Sequence, residues 1–167
     1  PKTVTTIQLN NMINLNGSLV DLPTAPTTVN FALSSGITGS LSNIPATALT
    51  VYLYSGPIVT PASIAHLTAI RDIRIYSMWP ALSAAESVDI VINSMWTARA
   101  AYTYATPSLQ IGGTNPDPTG NFVDPVEGAD WHEDSPGHWV PLTPMAKIKD
   151  LMGDVNGEGF NLWSITY

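Results

Sequence analysis

Interruptions to regular backbone come at short intervals along the whole of this chain. Fourteen prolines and twelve glycines are spread over 167 residues, and they cut the chain into short pieces. Between them lie runs rich in β-branched and aromatic residues: TVTTIQL (3–9), TVNFAL (28–33), ALTVYLY (48–54), IRDIRIYSMW (70–79), VDIVINSMW (88–96), AAYTYAT (100–106) and FNLWSITY (160–167). Several alternate with period two, as Thr50, Tyr52 and Tyr54 do against Val51 and Leu53. Seven or eight short strands separated by turn signals predict an all-β fold, an antiparallel β-sandwich or jelly-roll-like domain. The length suits a single domain over 1–167.

Two short helices are expected within that framework. Residues 60–70 offer Thr60 as N-cap and Pro61 at the first helical position, and residues 143–153 repeat the device with Thr143 and Pro144, with Gly153 to close. A repeat of D-I-x-I-x-S-M-W-x-A joins 72–81 to 89–98 at an offset of 17 residues. As strands, Ile73, Ile75, Ser77 and Trp79 share one face and Ile90, Ile92, Ser94 and Trp96 another. The short link between them predicts antiparallel neighbours feeding the core.

Charge excludes several functions. Only 11 % of residues are charged, and Lys2 and Asp21 are the only ones among the first 70. With a net charge of −7 the chain repels a phosphate backbone, so nucleic acid is not an expected partner. No basic run or apolar stretch of spanning length points to a membrane. The absence of cysteine removes disulfides and thiol chemistry. The chain opens on Pro1 with no signal peptide, which reads as a piece of a longer polypeptide.

From 107 to 144 the character changes to a long ordered loop, with seven prolines, six acids and no Lys or Arg. Its densest part is DWHEDSPGHWV, residues 130–140. A zincin helix needs His-Glu-x-x-His, but His138 follows His132 by six residues and Pro136-Gly137 forbids a helix between them. A looser divalent site could gather His132, His138 and one of Asp130, Glu133 or Asp134. The competing reading is a turn at Ser135-Pro136-Gly137, anchored by Trp131 and Trp139. The acids of this stretch could also take a hard cation such as Ca²⁺, or form a solvated face. GDVNGEGF (153–160) matches the opening of a calcium loop at Asp154, Asn156, Glu158 and Gly159, but Ile165 stands where the twelfth ligand belongs. It reads instead as a turn, with Asn156-Gly157 a hairpin signal. His66 is read as packed, and no cofactor is expected. Tyr102 and Tyr104, with Trp131 and Trp139, are the candidate binding aromatics, whereas Tyr52 and Tyr54 are read as core.

A Cys-free, Lys-poor, Thr/Ser/Asn/Pro-rich β-domain closing on FNLWSITY resembles the protruding domain of small icosahedral RNA virus coat proteins, such as those of nodavirus-like, tetravirus-like and Lake Sinai-type viruses. The resemblance implies a non-enzymatic spike on the virion surface, clustered as a dimer or trimer within the capsid and contacting a host receptor or glycan. The rival expectations are a carbohydrate-binding or adhesin module of a cellular protein and, third, an acid or metal-assisted hydrolase built on the 117–138 segment.

Overall fold

The computed structural model describes residues 3–12, 14–33, 36–55, 58–76, 85–113, 115–160 and 162–167. Its organising element is a six-stranded parallel sheet in the order β1 (Thr6–Gln8), β3 (Thr28–Asn30), β5 (Thr50–Tyr54), β7 (Asp72–Tyr76), β8 (Ser108–Gln110) and β11 (Ser164–Thr166). Thr6 pairs with Thr28, Thr28 with Thr50 and Thr50 with Asp72, so the first four strands recur every 22 residues in strict register. Between them run the short strands β2 (Asn16–Ser18), β4 (Gly36–Ser40) and β6 (Ile58–Thr60), which form a second parallel sheet. Two single-turn 3₁₀ segments, Leu19–Asp21 and Leu41–Asn43, complete the first two coils. Each of the first two coils thus carries a strand of the large sheet, a short strand and a 3₁₀ segment, and successive coils stack on one another.

The coil follows from the residues. Ile7, Val29, Val51 and Ile73 occupy one position of successive coils, and Leu9, Phe31, Leu53 and Ile75 another. Val29, Val51, Leu53, Ile73 and Ile75 are fully buried, each contributing roughly 1.5 to 3 kcal/mol by leaving water. Leu19 and Leu41 close the core from the 3₁₀ side, joined by Ile44, Ile64 and Leu67. In each of the first two coils the turn is capped locally, as where Ser40 accepts from the Ser42 amide and Asn43 reaches back to the Ser40 N–H at 2.9 Å. A single coil cannot bury its apolar side alone, and stacking makes the core continuous.

The expected antiparallel sandwich or jelly roll is therefore corrected to a mixed α/β fold built on parallel sheets. The reason lies in the spacing. Hairpins need links of about 2 to 5 residues, whereas parallel neighbours need crossovers of a dozen or more. The gaps between the runs at 3–9, 28–33, 48–54 and 70–79 are of the second kind. Only the hairpin of β9 (Trp131–Ser135) and β10 (His138–Pro141) is antiparallel among the described strands.

The 17-residue match also resolves differently. Asp72–Tyr76 is strand β7, but the second copy lies in helix α1 (Ala85–Thr97). Val88, Val91, Ile92 and Met95 are fully buried at helical spacing, while Ile90 is 42 % exposed. Ser77 and Trp79 lie outside the described residues. Residues 60–70 do not form the expected helix. Thr60 ends β6 and donates its hydroxyl to the Gly39 carbonyl at 3.1 Å. The run 100–106 is no strand either: a 3₁₀ turn, Arg99–Ala101, precedes irregular backbone. The expected loop 107–144 supplies β8, β9 and β10. The second expected helix forms as α2 (Pro144–Gly153), with Thr143 as N-cap, Pro144 in its first turn, and Asp154 left-handed at its end (φ 46°). α1 and α2 pack together, with Trp96 Nε1 donating to buried Asp150 at 2.7 Å and Lys147 Nζ to Asn93 at 2.7 Å.

Candidate functional site

Alternation along each strand sends one set of side chains into the core and the other onto an open face of the six-stranded sheet. The coil register then lines the outward residues into ladders. One runs through Thr28, Thr50, Asp72 and Ser108, and the next through Asn30, Tyr52, Arg74 and Gln110. A third brings Tyr54 beside Tyr76. Together Asn30, Ala32, Tyr52, Tyr54, Arg74, Tyr76 and Gln110 line a hollow of about 430 Å³. A second hollow of about 270 Å³ adjoins it across Arg74 and Gln110, lined also by Asp72, Ser108, Ser164 and Thr166.

Asp72 organises this face. Its Oδ2 accepts from the Tyr52 hydroxyl at 2.5 Å and from Arg74 Nη2 at 3.0 Å, and its Oδ1 accepts from Ser108 at 2.7 Å. Burial pushes the Asp72 carboxyl up, but the Tyr52, Ser108 and Arg74 donors outweigh burial and hold it below its ordinary value of 3.8. The bond to Asp72 in turn raises the Tyr52 phenol above 10.0. Arg74 lies over the Tyr52 ring, 4.5 Å from its centroid. The Tyr54 and Tyr76 rings stack at 5.4 Å with an interplanar angle of 16°. The result is a stacked aromatic pair, Tyr54 exposed and Tyr76 half-buried, beside an Arg and two amides, all on regular strands.

The residues singled out in the 130–140 stretch are placed otherwise. Trp131 is fully buried and its Nε1 donates to the Val123 carbonyl at 3.2 Å. Trp139 is half-buried in β10, and both its backbone groups are held by the Asn156 side chain, at 2.7 and 2.8 Å. Both are anchors, and residues 136 and 137 form the hairpin turn between β9 and β10. Asp130 is buried and accepts from the Asn121 N–H at 3.0 Å, the Asn121 amide at 3.0 Å and the Thr143 hydroxyl at 2.8 Å. These donors hold its carboxyl below 3.8.

His132 turns to Glu127, with Nδ1 to Oε1 at 3.1 Å, whereas His138 turns to Asp134 at 2.6 Å. Glu133 accepts from the Gly137 N–H. The two histidines thus face different acids, and among the described residues no three His, Asp or Glu side chains gather closely enough to hold a metal ion.

Tyr102 is buried and meets Trp163 edge-on at 4.8 Å, and burial raises its phenol. Tyr104 is exposed beneath Arg71, at 5.2 Å. These two candidate aromatics therefore do not share a surface, one being buried and the other exposed, on a segment that is not a strand. Conversely, Tyr52 and Tyr54, expected in the core, point outward. Asp154 accepts from the Glu158 and Gly159 amides, both at 2.8 Å, Asn156 clasps Trp139, and Glu158 faces Arg99 at 3.3 Å. The residues of the calcium-loop match therefore point apart. Asn156-Gly157 makes no hairpin into β11, which pairs in parallel with β8. His66 links coils by contacting the Ile44 carbonyl at 2.8 Å.

Asn30, Asp72, Arg74 and Gln110 were missed in the sequence. For Asn30 and Arg74 the signal was the 22-residue interval, which sets Asn30, Tyr52 and Arg74 at one coil position and Ala32, Tyr54 and Tyr76 at another, whereas Gln110 stands 36 residues beyond Arg74 and outside that interval. Compared with protein-family models, with curated proteins and with solved structures, the chain matches none.

Proposed function

We propose that the chain is a non-catalytic recognition module whose ligand sits on the open face of the six-stranded sheet. The observation that carries this is the hollow of about 430 Å³ where Tyr54, Tyr76 and Arg74 meet Asn30 and Gln110. Tyr and Arg are the residues most often responsible for affinity at interfaces, and stacked-coil proteins bind through the extended surface their strands create. Regular strands fix these side chains before any ligand arrives, which lowers the ordering cost of binding. Asp72, the carboxylate of this face, already has both oxygens engaged by donors. It therefore serves to hold Tyr52 and Arg74 in place.

The protruding capsid domain, with its dimer or trimer and its place on a virion, was expected from a resemblance of composition, which in turn implied a β-sandwich. A parallel coil gives that reading no support. Attachment to a partner is the part of it that the open face favours, and this agrees with the binding-module alternative.

The test is to screen the purified chain against immobilised glycans and peptides, alongside Tyr54→Ala and Arg74→Ala variants. Binding that falls at least tenfold in both variants supports the open face. A ligand that ignores both variants but is lost with His132→Ala and His138→Ala together would move the site to the β9–β10 hairpin.

A further inference from the structure

Charge on the open face is confined and cancelled. Among the outward side chains of the six strands only Asp72 and Arg74 are charged, and they are bonded to each other at 3.0 Å. The others are Thr6, Gln8, Thr28, Asn30, Thr50, Ser108, Gln110, Ser164 and Thr166, with the three tyrosines. A neutral face dense in hydroxyls and amides thus lies on a protein of net charge −7.

Resting on the open-face reading above, we infer that the ligand is an uncharged oligosaccharide. A pyranose ring presents an apolar C–H face and a rim of hydroxyl groups, each of which both donates and accepts. The Tyr54–Tyr76 pair supplies the aromatic surface, and Ala32, at the same coil position one strand earlier, leaves room beside Tyr54. Asn30, Arg74 and Gln110 supply donors and acceptors on the floor of the same hollow. The second hollow, with Ser108, Ser164 and Thr166, continues the polar surface toward β11. Strands spaced about 4.8 Å apart put the two hollows within reach of one short chain of sugars laid across the strands. Polyanions are disfavoured by the net charge. A peptide that binds by adding a strand needs a sheet edge, and this hollow is on the face.

The experiment is isothermal titration of the whole chain with neutral gluco-, manno-, xylo- and N-acetylglucosamine oligosaccharides, with a sulfated oligosaccharide and a mixed peptide library as comparison probes. Variants are Tyr54→Ala, Asn30→Ala and, as a remote control, Tyr104→Ala, each checked by circular dichroism. The expected result is saturable binding of at least one neutral sugar, weakened tenfold or more by Tyr54→Ala and by Asn30→Ala and unchanged by Tyr104→Ala. Preference for the sulfated probe, or no neutral sugar bound at millimolar concentration, overturns the inference. Peptide binding that depends on Tyr54, with no sugar bound, overturns it while leaving the open-face reading intact. Sugar binding indifferent to Tyr54 and Asn30 overturns both.

Discussion

Tyr52 donates its hydroxyl proton to Asp72 across neighbouring strands at 2.5 Å, and Arg74 closes over the Tyr52 ring while bonding the same carboxylate oxygen. Removing the hydroxyl alone tests this arrangement. Tyr52→Phe is expected to lower stability by about 1 kcal/mol, since Ser108 and Arg74 still serve the carboxylate. Chemical denaturation at neutral pH measures it. Because the folded Asp72 carboxyl titrates below 3.8, its contribution is complete above that value and is lost as pH falls through the lower, folded value. Asp72→Asn should flatten stability against pH in that acidic window and leave the slope near neutrality unchanged.

Asp130 is expected to matter far more than the histidines beside it. Asp130→Ala removes the acceptor of three donors and leaves the Asn121 amide and the α2 cap residue Thr143 unserved. The expected loss is about 2 to 4 kcal/mol. His132→Ala with His138→Ala, whose side chains are largely exposed, should leave the thermal midpoint close to that of the parent chain. Comparable losses in thermal melts of the two variants would sink this distinction. Gly120→Ala should fall with the severe group, because φ is +97° and a Cβ would lie 2.2 Å from the Thr143 hydroxyl oxygen.

Asn156 treats Trp139 as a neighbouring strand would, accepting from its N–H and donating to its carbonyl. Asn156→Ala should cost about 1 to 2 kcal/mol. It should also speed hydrogen exchange at the Trp139 amide more than at amides of β5. Asn156→Asp keeps the acceptor and should recover part of the protection.

His138 should titrate above its ordinary 6.5, first because Asp134 accepts its hydrogen bond and then through the charges of Asp134 and Glu158. A raised folded value means the contribution is present below 6.5 and lost as pH rises through the folded value. Nuclear magnetic resonance titration of the imidazole gives the midpoint directly. Asp134→Asn should bring it down, and an unchanged midpoint would remove Asp134 as the cause.

Five of the six strands of the large sheet were legible from β-branched and aromatic runs, whereas β8 lay in the stretch read as a loop. β1, β3, β5, β7 and β11 all fall inside the runs marked by composition, and α2 was announced by Thr143-Pro144 and ended near Gly153. The direction of pairing was hidden because Leu19 and Leu41 have no counterpart at Ser63, the apolar residue being Ile64. That slip of one residue blurs the repeat. α1 was hidden because D-I-x-I satisfies both periods: Ile90 and Ile92 suit a strand, and Val88, Val91, Ile92 and Met95 suit a helix. With so few charges in the first 70 residues, nothing marked Tyr52 and Tyr54 as outward. Once Asn30, Tyr52 and Arg74 are aligned, the open face is readable from the sequence.

The 22-residue register also sets how such a molecule can change in size. Copying residues 28–49 once in tandem adds one rung to each ladder of the six-stranded sheet and leaves the existing rungs in register. Growth here is a matter of counting, and the footprint available to a ligand widens in steps of one strand.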